Sequence, residues 1–291
     1  MPKLFARLSV VECQLNQRDI EVEYICVDDG SGDNSLLILR GLKVSHPNIK
    51  IIKFTRNFGA ISAIKSSLEF VQGDCFLFIA ADLQDPPELI PEMVDRWLKG
   101  AKYVICERIN RSDPLMTRFF AAIYYSILRL IVIKKYPKKG FDLALMDKQF
   151  LLYLRAAGKH VSFPLLPFWL GYEPSVIEYN REARKDGISR WTFGKKWKLM
   201  IDSIFAFSVF PIRFISLAGL IVSTVSFVYG AIVVVSAIIG SISVPGYASV
   251  VSLISFLLGL IILMLGVLGE IIWRIFDEVN MHPYAVIDEI Y

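Results

Sequence analysis

The sequence predicts an α/β domain with a mostly parallel sheet, followed by two transmembrane helices. In the first half of the 291-residue chain, short apolar strand patterns alternate with helical patterns, as they do in βαβ units. In the second half, no Asp, Glu, Lys, Arg or His occurs from Phe214 to Gly269. Hydrophobic residues make up 54% of the chain and the mean hydropathy is +0.49, which is more apolar than an ordinary soluble enzyme. The excess of apolar residues therefore predicts segments that lie in a membrane.

The strand and helix patterns follow one another in a regular order. The predicted strands are Glu21–Asp28, Ile49–Thr55, Cys75–Ala81 and Lys102–Cys106, and the helices between them are Asn34–Ser45, Phe58–Val71 and Pro87–Lys99. Ahead of the first strand, apolar residues at helical spacing predict an amphipathic helix with the inward positions Leu4, Phe5, Leu8, Val11 and Leu15. A doubly wound sheet ordinarily has a strand before such a helix, and we expect that strand to be missing here.

Two membrane spans are predicted in the uncharged region, at about 214–239 and 248–269. Each reaches the roughly 20 apolar residues that cross a bilayer, and Pro245 and Gly246 separate them. Basic residues precede the first span, Arg274 follows the second, and the connecting loop has none. By the positive-inside rule, both termini and the α/β domain face the cytoplasm. The predicted division is 1–190 for the α/β domain, 191–212 for a juxtamembrane helix, 213–272 for the spans and 273–291 for a cytoplasmic tail.

Two further apolar segments predict helices at the membrane interface. Segment 119–133, at about 1.5 Å per residue, is too short for a hydrocarbon core of roughly 30 Å. Its basic neighbours, among them Arg129 and Lys134, favour an interfacial helix that contacts lipid phosphates. A buried core helix is the alternative. Segment 197–210 has a similar pattern and leads into the first span.

The net charge of +4 and a pI near 8.8 fit a nucleic-acid binder, a membrane-surface protein or an enzyme of anionic substrates. The basic residues crowd at 134–139 and 181–198, without the interleaved aromatic residues that stack on bases. Nucleic acid is therefore not an expected partner. The four cysteines and three histidines lack the spacing of a zinc site, and they predict reduced thiols and no Ser-His-Asp triad.

Acidic residues gather directly after the third predicted strand, in DLQDPPELIP from Asp82 to Pro91. Open α/β sheets bind ligands at the carboxyl ends of their strands. Asp82, Gln84 and Asp85 offer hard oxygen ligands of the kind that hold Mg²⁺ or Mn²⁺ against a diphosphate. A helix start capped by Asp85 is the alternative, and both can hold together.

Two other strand ends carry polar motifs. Asp28 and Asp29, in VDDGSGDNS, can accept hydrogen bonds from a nucleobase imide or a ribose hydroxyl. The same residues can instead form an Asp-Gly turn that closes a βα unit. Arg56 and Asn57, in RNFGA, can contact a base or a phosphate, or cap the following helix.

Together with GFDLALMD, REARKDGISRW, GEIIWRIF and the paired spans, these motifs resemble family 2 glycosyltransferases that move a sugar from a nucleotide donor to a polyprenyl phosphate. Dolichyl-phosphate mannosyltransferases and undecaprenyl-phosphate glucosyl or aminoarabinosyl transferases are the types it resembles most. The resemblance covers nearly the whole chain. It implies a GT-A-like fold, a UDP- or GDP-linked sugar donor, a polyprenyl phosphate acceptor, Mg²⁺ or Mn²⁺ as cofactor, and a place in a bacterial cytoplasmic membrane among its lipids. A homo-oligomer is compatible with it.

The same resemblance implies a role for each matching residue. Asp28 and Asp29 match acids that contact uridine or guanosine. Asp82 matches the second Asp of a DxD metal motif, with Gln84 on the metal side, and Asp142 matches an acid near the acceptor. The implied catalytic residues are Asp142, Arg181 and Arg184. The residues implied to bind the sugar donor are Asp28, Asp29, Arg56, Asp82, Ser189 and Arg190. Weaker candidates for binding the lipid phosphate are Arg108, Arg111 and Arg118.

Two departures from the family pattern bear on activity. Ala80 stands where the family often has the first Asp of the metal motif, so we expect weaker metal binding or help from Asp85. The family also opens with a strand that lines the nucleotide pocket, and Met1 lies beyond it. The resemblance therefore implies poor donor binding by the chain in this form.

The expected reaction is attack by a phosphate oxygen of the lipid on the anomeric carbon, with inversion at that carbon and release of a nucleoside diphosphate. The lipid phosphate is largely dianionic at neutral pH, so no strong general base is required. Two alternatives stay open. One is a catalytically impaired membrane scaffold. The other is a polysaccharide synthase, which is disfavoured because Gly187 stands where that class has Gln before Arg190 and Trp191.

Overall fold

The computed structural model describes residues 1–109, 122, 124–133, 136–137, 140–158, 161, 163–180, 208, 210–239, 246–280 and 283–291. These residues form two compact units. The α/β unit comprises Met1–Phe207 and Pro283–Tyr291, and the helical unit comprises Ser208–His282.

The α/β unit alternates strands and helices through its first half, which confirms the order predicted from the sequence. The strands are β1 Tyr24–Asp28, β2 Ile49–Phe54, β3 Cys75–Leu77, β4 Tyr103–Arg108, β5 Phe141–Asp147, β6 Ser175–Tyr179 and β7 Ile287–Ile290. The helices are α1 Pro2–Asn16, α2 Ser35–Ser45, α3 Ala60–Leu68, α4 Ile90–Leu98, α5 Phe150–Ala156 and α6 Leu166–Trp169. Short 3₁₀ turns precede α4 and α6, and a π-helical turn covers Leu128–Val132.

In the described residues the strands form two mixed sheets, so the prediction of a mostly parallel sheet is wrong. One sheet has the order β1-β2-β7 and the other β3-β5-β4-β6. The pairs β1/β2 and β4/β6 are parallel, whereas β2/β7, β3/β5 and β4/β5 are antiparallel. The predicted parallel strand Cys75–Ala81 ends at Leu77 and pairs antiparallel with β5. The reason is that two strands from later in the chain run antiparallel to their neighbours. β5 lies between β3 and β4, and β7 lies beside β2.

The sheet β3-β5-β4-β6 brings several chain segments to one edge. β3, β4 and β6 run in the same direction and β5 runs in the opposite one. The carboxyl ends of β3, β4 and β6 therefore lie at the same edge as the amino end of β5. The two sheets approach each other where β1 and β3 begin, because the Glu23 carboxylate accepts hydrogen bonds from the amides of Gln72 and Gly73, at 2.8 and 2.9 Å.

Two hydrophobic clusters lie on opposite faces of this sheet. On β4, Tyr103 and Ile105 pack into one cluster, whereas Val104 and Cys106 pack into the other, since successive side chains of a strand point to opposite faces. Helices α1 and α4 cover the second cluster. The five inward positions predicted for α1 are each at most 6% exposed, which confirms that helix and its buried face.

Of the segment predicted at the membrane interface, 119–133, the structure describes residue 122 and residues 124–133. Leu128 and Ile133 are buried in the first cluster, while Leu130 is 83% exposed. This part of the segment therefore packs one face on the sheet, as the alternative of a core helix expects. Its basic neighbours Lys134 and Lys135, and the whole of 191–207, lie outside the described residues.

The helical unit contains α7 (Phe210–Ile238) and α8 (Tyr247–Val279), which include the two predicted spans. A Cβ on Gly219 would lie 2.7 Å from Met264 Cε, so the helices are in close contact there. Among the described residues, one stretch is long and apolar enough to cross a membrane, Phe256–Val279, with a mean hydropathy of 2.5.

The predicted cytoplasmic tail, 273–291, contains regular structure, and its cytoplasmic location stays a prediction. Helix α8 continues to Val279, and the strand β7 follows it and pairs with β2 in the α/β unit. The alternation of apolar and acidic residues from Val286 to Ile290 is a strand pattern, and it is the signal that could have predicted this strand.

Candidate active site

The first corner of the candidate site lies where the parallel strands β1 and β2 end. β1 ends at Asp28, which is buried and whose Oδ1 accepts a hydrogen bond from the amide of Ser31 at 3.3 Å. Because parallel strands place their carboxyl ends at the same edge, the loop after β1 meets the loop after β2. We call these two loops, residues 28–33 and 55–59, the donor corner, after the sugar donor that the resemblance implies.

Asp29 joins the two loops of the donor corner. Its carboxylate accepts hydrogen bonds from the amides of Phe58 and Gly59, at 2.7 and 2.9 Å. These amides lie at the start of α3, where a helix lacks internal acceptors for its first N–H groups. Asp29 therefore stabilises the beginning of α3 from a neighbouring loop, a role that the sequence did not reveal.

Gly30 allows the two loops to approach each other closely. Its φ is +66°, and a Cβ at this position would overlap the backbone of Arg56. Only glycine fits both the left-handed conformation and the contact. The exposed Arg56 guanidinium lies 4.2 Å from the centre of the Phe58 ring. The structure thus brings together Asp28, Asp29 and Arg56, as the prediction of a shared binding edge requires.

The predicted metal ligands share one turn after β3. Asp82 Oδ1 accepts a hydrogen bond from the amide of Gln84 at 3.2 Å, and Leu83 between them has a φ of +61°. That conformation is unfavourable for a side chain such as leucine and is more frequent at functional sites. Asp82 and Gln84 are partly exposed, whereas Asp85 is buried. Within the part of the chain that the structure describes, no group of three or more His, Cys, Asp or Glu is arranged to hold a metal ion.

A second corner forms at the edge of the other sheet, around Asp142 on β5. Asp142 Oδ2 accepts a hydrogen bond from the Tyr179 hydroxyl at 2.6 Å and lies 2.5 Å from Nε of Arg108. The Arg108 and Asp142 side chains are only 12% and 9% exposed. We call these three residues the buried triad. Arg108 and Tyr179 also face each other in the register of β4 and β6, so three strands position the triad.

The buried triad changes the interpretation of two predicted residues. The Arg108 charge is matched by Asp142, so Arg108 would have to give up a buried ion pair before it could bind a lipid phosphate. Asp142 is in turn held by two partners. Sequence reasoning missed Tyr179, because a tyrosine at the end of a strand is common and its partner is 37 positions away in the chain.

The remaining predicted site residues, Arg181, Arg184, Ser189, Arg190, Arg111 and Arg118, lie outside the described residues. Their roles stay predictions. The described stretch that contains β6 ends one residue after that strand, at Asn180, and therefore next to the buried triad in sequence.

The cysteines near these corners are protonated thiols. Burial raises the pKa of Cys26 and of Cys75 to about 11, and burial raises the pKa of Cys106 to about 12. All four cysteines are free. The reduced state of the cysteines stays a prediction. A thiolate nucleophile at neutral pH is not supported at Cys26, Cys75 or Cys106, because the thiolate is the reactive form and the raised pKa values disfavour it.

Comparison with known proteins decides the family. The model of the family "Glycosyl transferase family 2" matches residues 8–157, about half of the chain. The chain belongs to this family. The matched residues include the donor corner, Asp82 and Asp142, so the resemblance predicted from the motifs is confirmed.

Curated relatives extend the match beyond the α/β unit. The chain is 35% identical over 269 residues to the SfII prophage-derived bactoprenol glucosyl transferase of Shigella flexneri, covering 92% of this chain and 87% of that one. It is 34% identical over 275 residues to the prophage bactoprenol glucosyl transferase homolog of Escherichia coli, covering 94% and 90%. It is also 34% identical over 290 residues to the uncharacterized glycosyltransferase sll0501 of Synechocystis, covering 99% and 90%.

Proposed function

We propose that the protein transfers a sugar from a UDP- or GDP-linked donor to a polyprenyl phosphate. The main support is the 35% identity to a bactoprenol glucosyl transferase over 92% of the chain, because a match of that length includes residues of both units. The mixed sheets of a GT-A-like fold and the donor corner at a strand edge also support it, since this is the edge where α/β folds bind nucleotides.

The donor corner is suited to a nucleoside diphosphate. The buried Asp28 carboxylate lies at the strand end, where an acid can accept hydrogen bonds from a base imide or a ribose hydroxyl. The exposed Arg56 lies in the adjoining loop and can bind phosphate oxygens. Asp29 contributes chiefly by holding the Arg56 loop in place through the Phe58 and Gly59 amides.

A divalent cation, Mg²⁺ or Mn²⁺, is part of the proposal. The donor set is small: Asp82, with Gln84 in the same turn, and Ala80 where the resemblance implies another carboxylate. Such a set fits an ion that is held mainly by the diphosphate oxygens and by water, as Mg²⁺ often is. When bound, the ion would supply neutralisation of the charge that develops on the departing diphosphate.

The chain's own residues then have to align two anions. A phosphate oxygen forms a bond to the anomeric carbon while the bond from that carbon to the diphosphate breaks, which inverts the configuration. Asp142, held by Arg108 and Tyr179, orients the sugar or the acceptor; it is not needed as a strong base because the attacking phosphate is already ionised. Arg181, Arg184, Ser189 and Arg190 complete the proposed phosphate-binding set.

The helical unit is proposed as a two-helix hairpin in a bacterial cytoplasmic membrane, with the α/β unit and both termini in the cytoplasm. The contact between Gly219 and Met264, the exposed apolar side chains of α7 and α8, and the basic residues before the first helix support this topology.

Incubation of membranes containing the protein with undecaprenyl phosphate and radiolabelled UDP- and GDP-sugars tests the function. We expect label in the lipid extract with at least one donor. Asp82→Asn should abolish most of it, whereas Asp74→Asn, an exposed carboxylate paired with Lys148, should not. Absence of labelled lipid with every donor, while the purified chain still associates with membranes, would favour the scaffold alternative. A product with the anomeric configuration of the donor would contradict single displacement.

A further inference from the structure

The last nine residues, Pro283–Tyr291, follow the helical unit in the chain but belong to the α/β unit, and we call them the C-terminal segment. Its strand β7 pairs antiparallel with β2. Ile51 and Tyr291 exchange two backbone hydrogen bonds of 2.9 Å, and the Thr55 amide donates to the Val286 carbonyl at 3.2 Å. The segment therefore covers the edge of β2 along the strand and one residue beyond its end.

The side chains that hold the C-terminal segment are polar and exposed. Lys53 pairs with Asp288 and lies 3.8 Å from Glu289, while Arg40 pairs with Glu289 at 3.3 Å. The Arg40 guanidinium also lies 4.0 Å from the centre of the Tyr291 ring. Exposed ion pairs of this kind contribute at most about 1 kcal/mol each and are screened by salt. All four residues of β7 are exposed, whereas Tyr291 is partly buried against the cluster that contains Leu39 and Ile51. The segment is therefore bound by backbone pairing, by surface charge and by one apolar contact at its end.

The C-terminal segment contacts both elements that flank the Arg56 loop. Before the loop, Val286 accepts the hydrogen bond from Thr55, the residue next to Arg56. After the loop, the Tyr284 ring lies 5.0 Å from the Lys65 ammonium on α3. The loop is thus held between the C-terminal segment on one side and the Asp29 carboxylate on the other.

We infer that the C-terminal segment is a positioning strand for the donor corner, which keeps the Arg56 loop in the conformation that binds the nucleoside diphosphate. This inference rests on the proposed function and goes beyond it by assigning control of donor affinity to residues outside the family-matched region 8–157. The edge of β2 is then a docking site for one extended strand of the sequence PYAVIDEIY, bound by strand addition.

The first test uses the full chain with the two acidic side chains reversed, Asp288→Lys together with Glu289→Lys. The new lysines oppose Lys53 and Arg40 and should release the strand. We expect the KM for the sugar donor to rise about tenfold, the change that loss of one well-formed hydrogen bond can cause, while the KM for polyprenyl phosphate stays unchanged. Lys50→Ala is the matched control, because Lys50 lies on the same strand but over the Phe70 ring.

The second test separates positioning from a loss of fold. In the charge-reversed full chain, added PYAVIDEIY peptide can bind the released edge of β2 and should restore the donor KM, and a peptide with both acids replaced by lysine should not. Hydrogen exchange of the Thr55, Phe58 and Gly59 amides gives a readout without nucleotide, and exchange should quicken in the charge-reversed chain but not in Lys50→Ala. Unchanged exchange and unchanged donor KM would overturn the inference. If the unaltered chain binds neither UDP nor GDP, the proposed function fails, and the exchange rates still decide whether the segment orders the loop.

Discussion

The donor corner and the buried triad lie at strand ends but are held by different physical means. In the donor corner, a carboxylate accepts bonds from backbone amides of a loop, and the Arg56 side chain is exposed. In the triad, the ion pair between Arg108 and Asp142 is almost fully buried. Loss of one partner from a buried pair leaves an uncompensated charge, whereas an exposed loop can rehydrate. We therefore expect the donor corner to be the more adaptable part of the proposed site and the triad the more rigid part.

The largest expected effect comes from breaking the triad. Arg108→Ala leaves the Asp142 carboxylate buried without its cation, and should lower the free energy of unfolding by about 3–5 kcal/mol. Arg18→Ala removes an exposed pair with Asp95, whose side chains are 47% and 41% exposed, and should cost less than about 1 kcal/mol. Denaturant unfolding in detergent, followed by tryptophan fluorescence, measures both. If the free energy of unfolding falls equally in the two variants, the triad is not the more rigid corner.

A smaller effect is expected in the donor corner. Asp29→Ala removes the acceptor for two amides at the start of α3 and should cost about 1–2 kcal/mol of stability, together with a higher KM for the sugar donor. Glu23→Ala is a suitable control, because the Glu23 carboxylate also accepts two backbone amides, those of Gln72 and Gly73, and lies outside the donor corner. Kinetics at varied donor concentration should separate the two variants. If Glu23→Ala raises the donor KM as much as Asp29→Ala, the special role of Asp29 is refuted.

The smallest effect concerns a contact away from both corners. Arg7 donates two hydrogen bonds to the Glu88 carboxylate, at 2.7 and 2.6 Å, and this hydrogen bonding holds the pKa of Glu88 below its usual value of 4.5. A lowered pKa in the folded state adds stability above pH 4.5, and the added stability is lost as pH falls through the lowered pKa. Arg7→Ala should therefore be less stable than the unaltered chain at pH 7, by under about 1 kcal/mol because the pair is exposed, and equal to it at low pH. Unfolding curves at pH 7 and pH 3 check this; a difference that grows on acidification would contradict it.

The donor corner and the buried triad also differ in how many of their residues could be predicted from the sequence. Asp28, Asp29 and Arg56 follow apolar strands directly and stand beside glycines, so local pattern was enough to place them at one edge. Asp82 and Gln84 were predicted in the same way, and their role as metal ligands stays a prediction. Tyr179 had no such signal, because it reaches Asp142 only when β4, β5 and β6 lie side by side. The roles of Arg181 and Arg184 stay predictions, since both lie outside the described residues.

Periodicity and composition alone were sufficient for the βαβ order, the inward face of α1 and the uncharged stretches of the two long helices, because each depends on neighbours within a few turns of chain. The family resemblance came from the motifs. The mixed strand directions, the ion pair of Arg108 with Asp142 and the return of β7 to β2 depend on partners far apart in the sequence. Hydrogen bonding between strands is the same in kind for many pairings, so the choice among them is made by packing and charge in three dimensions. For that reason the sequence alone indicated the chemistry of each single motif, whereas the contacts between motifs were decided by the tertiary structure.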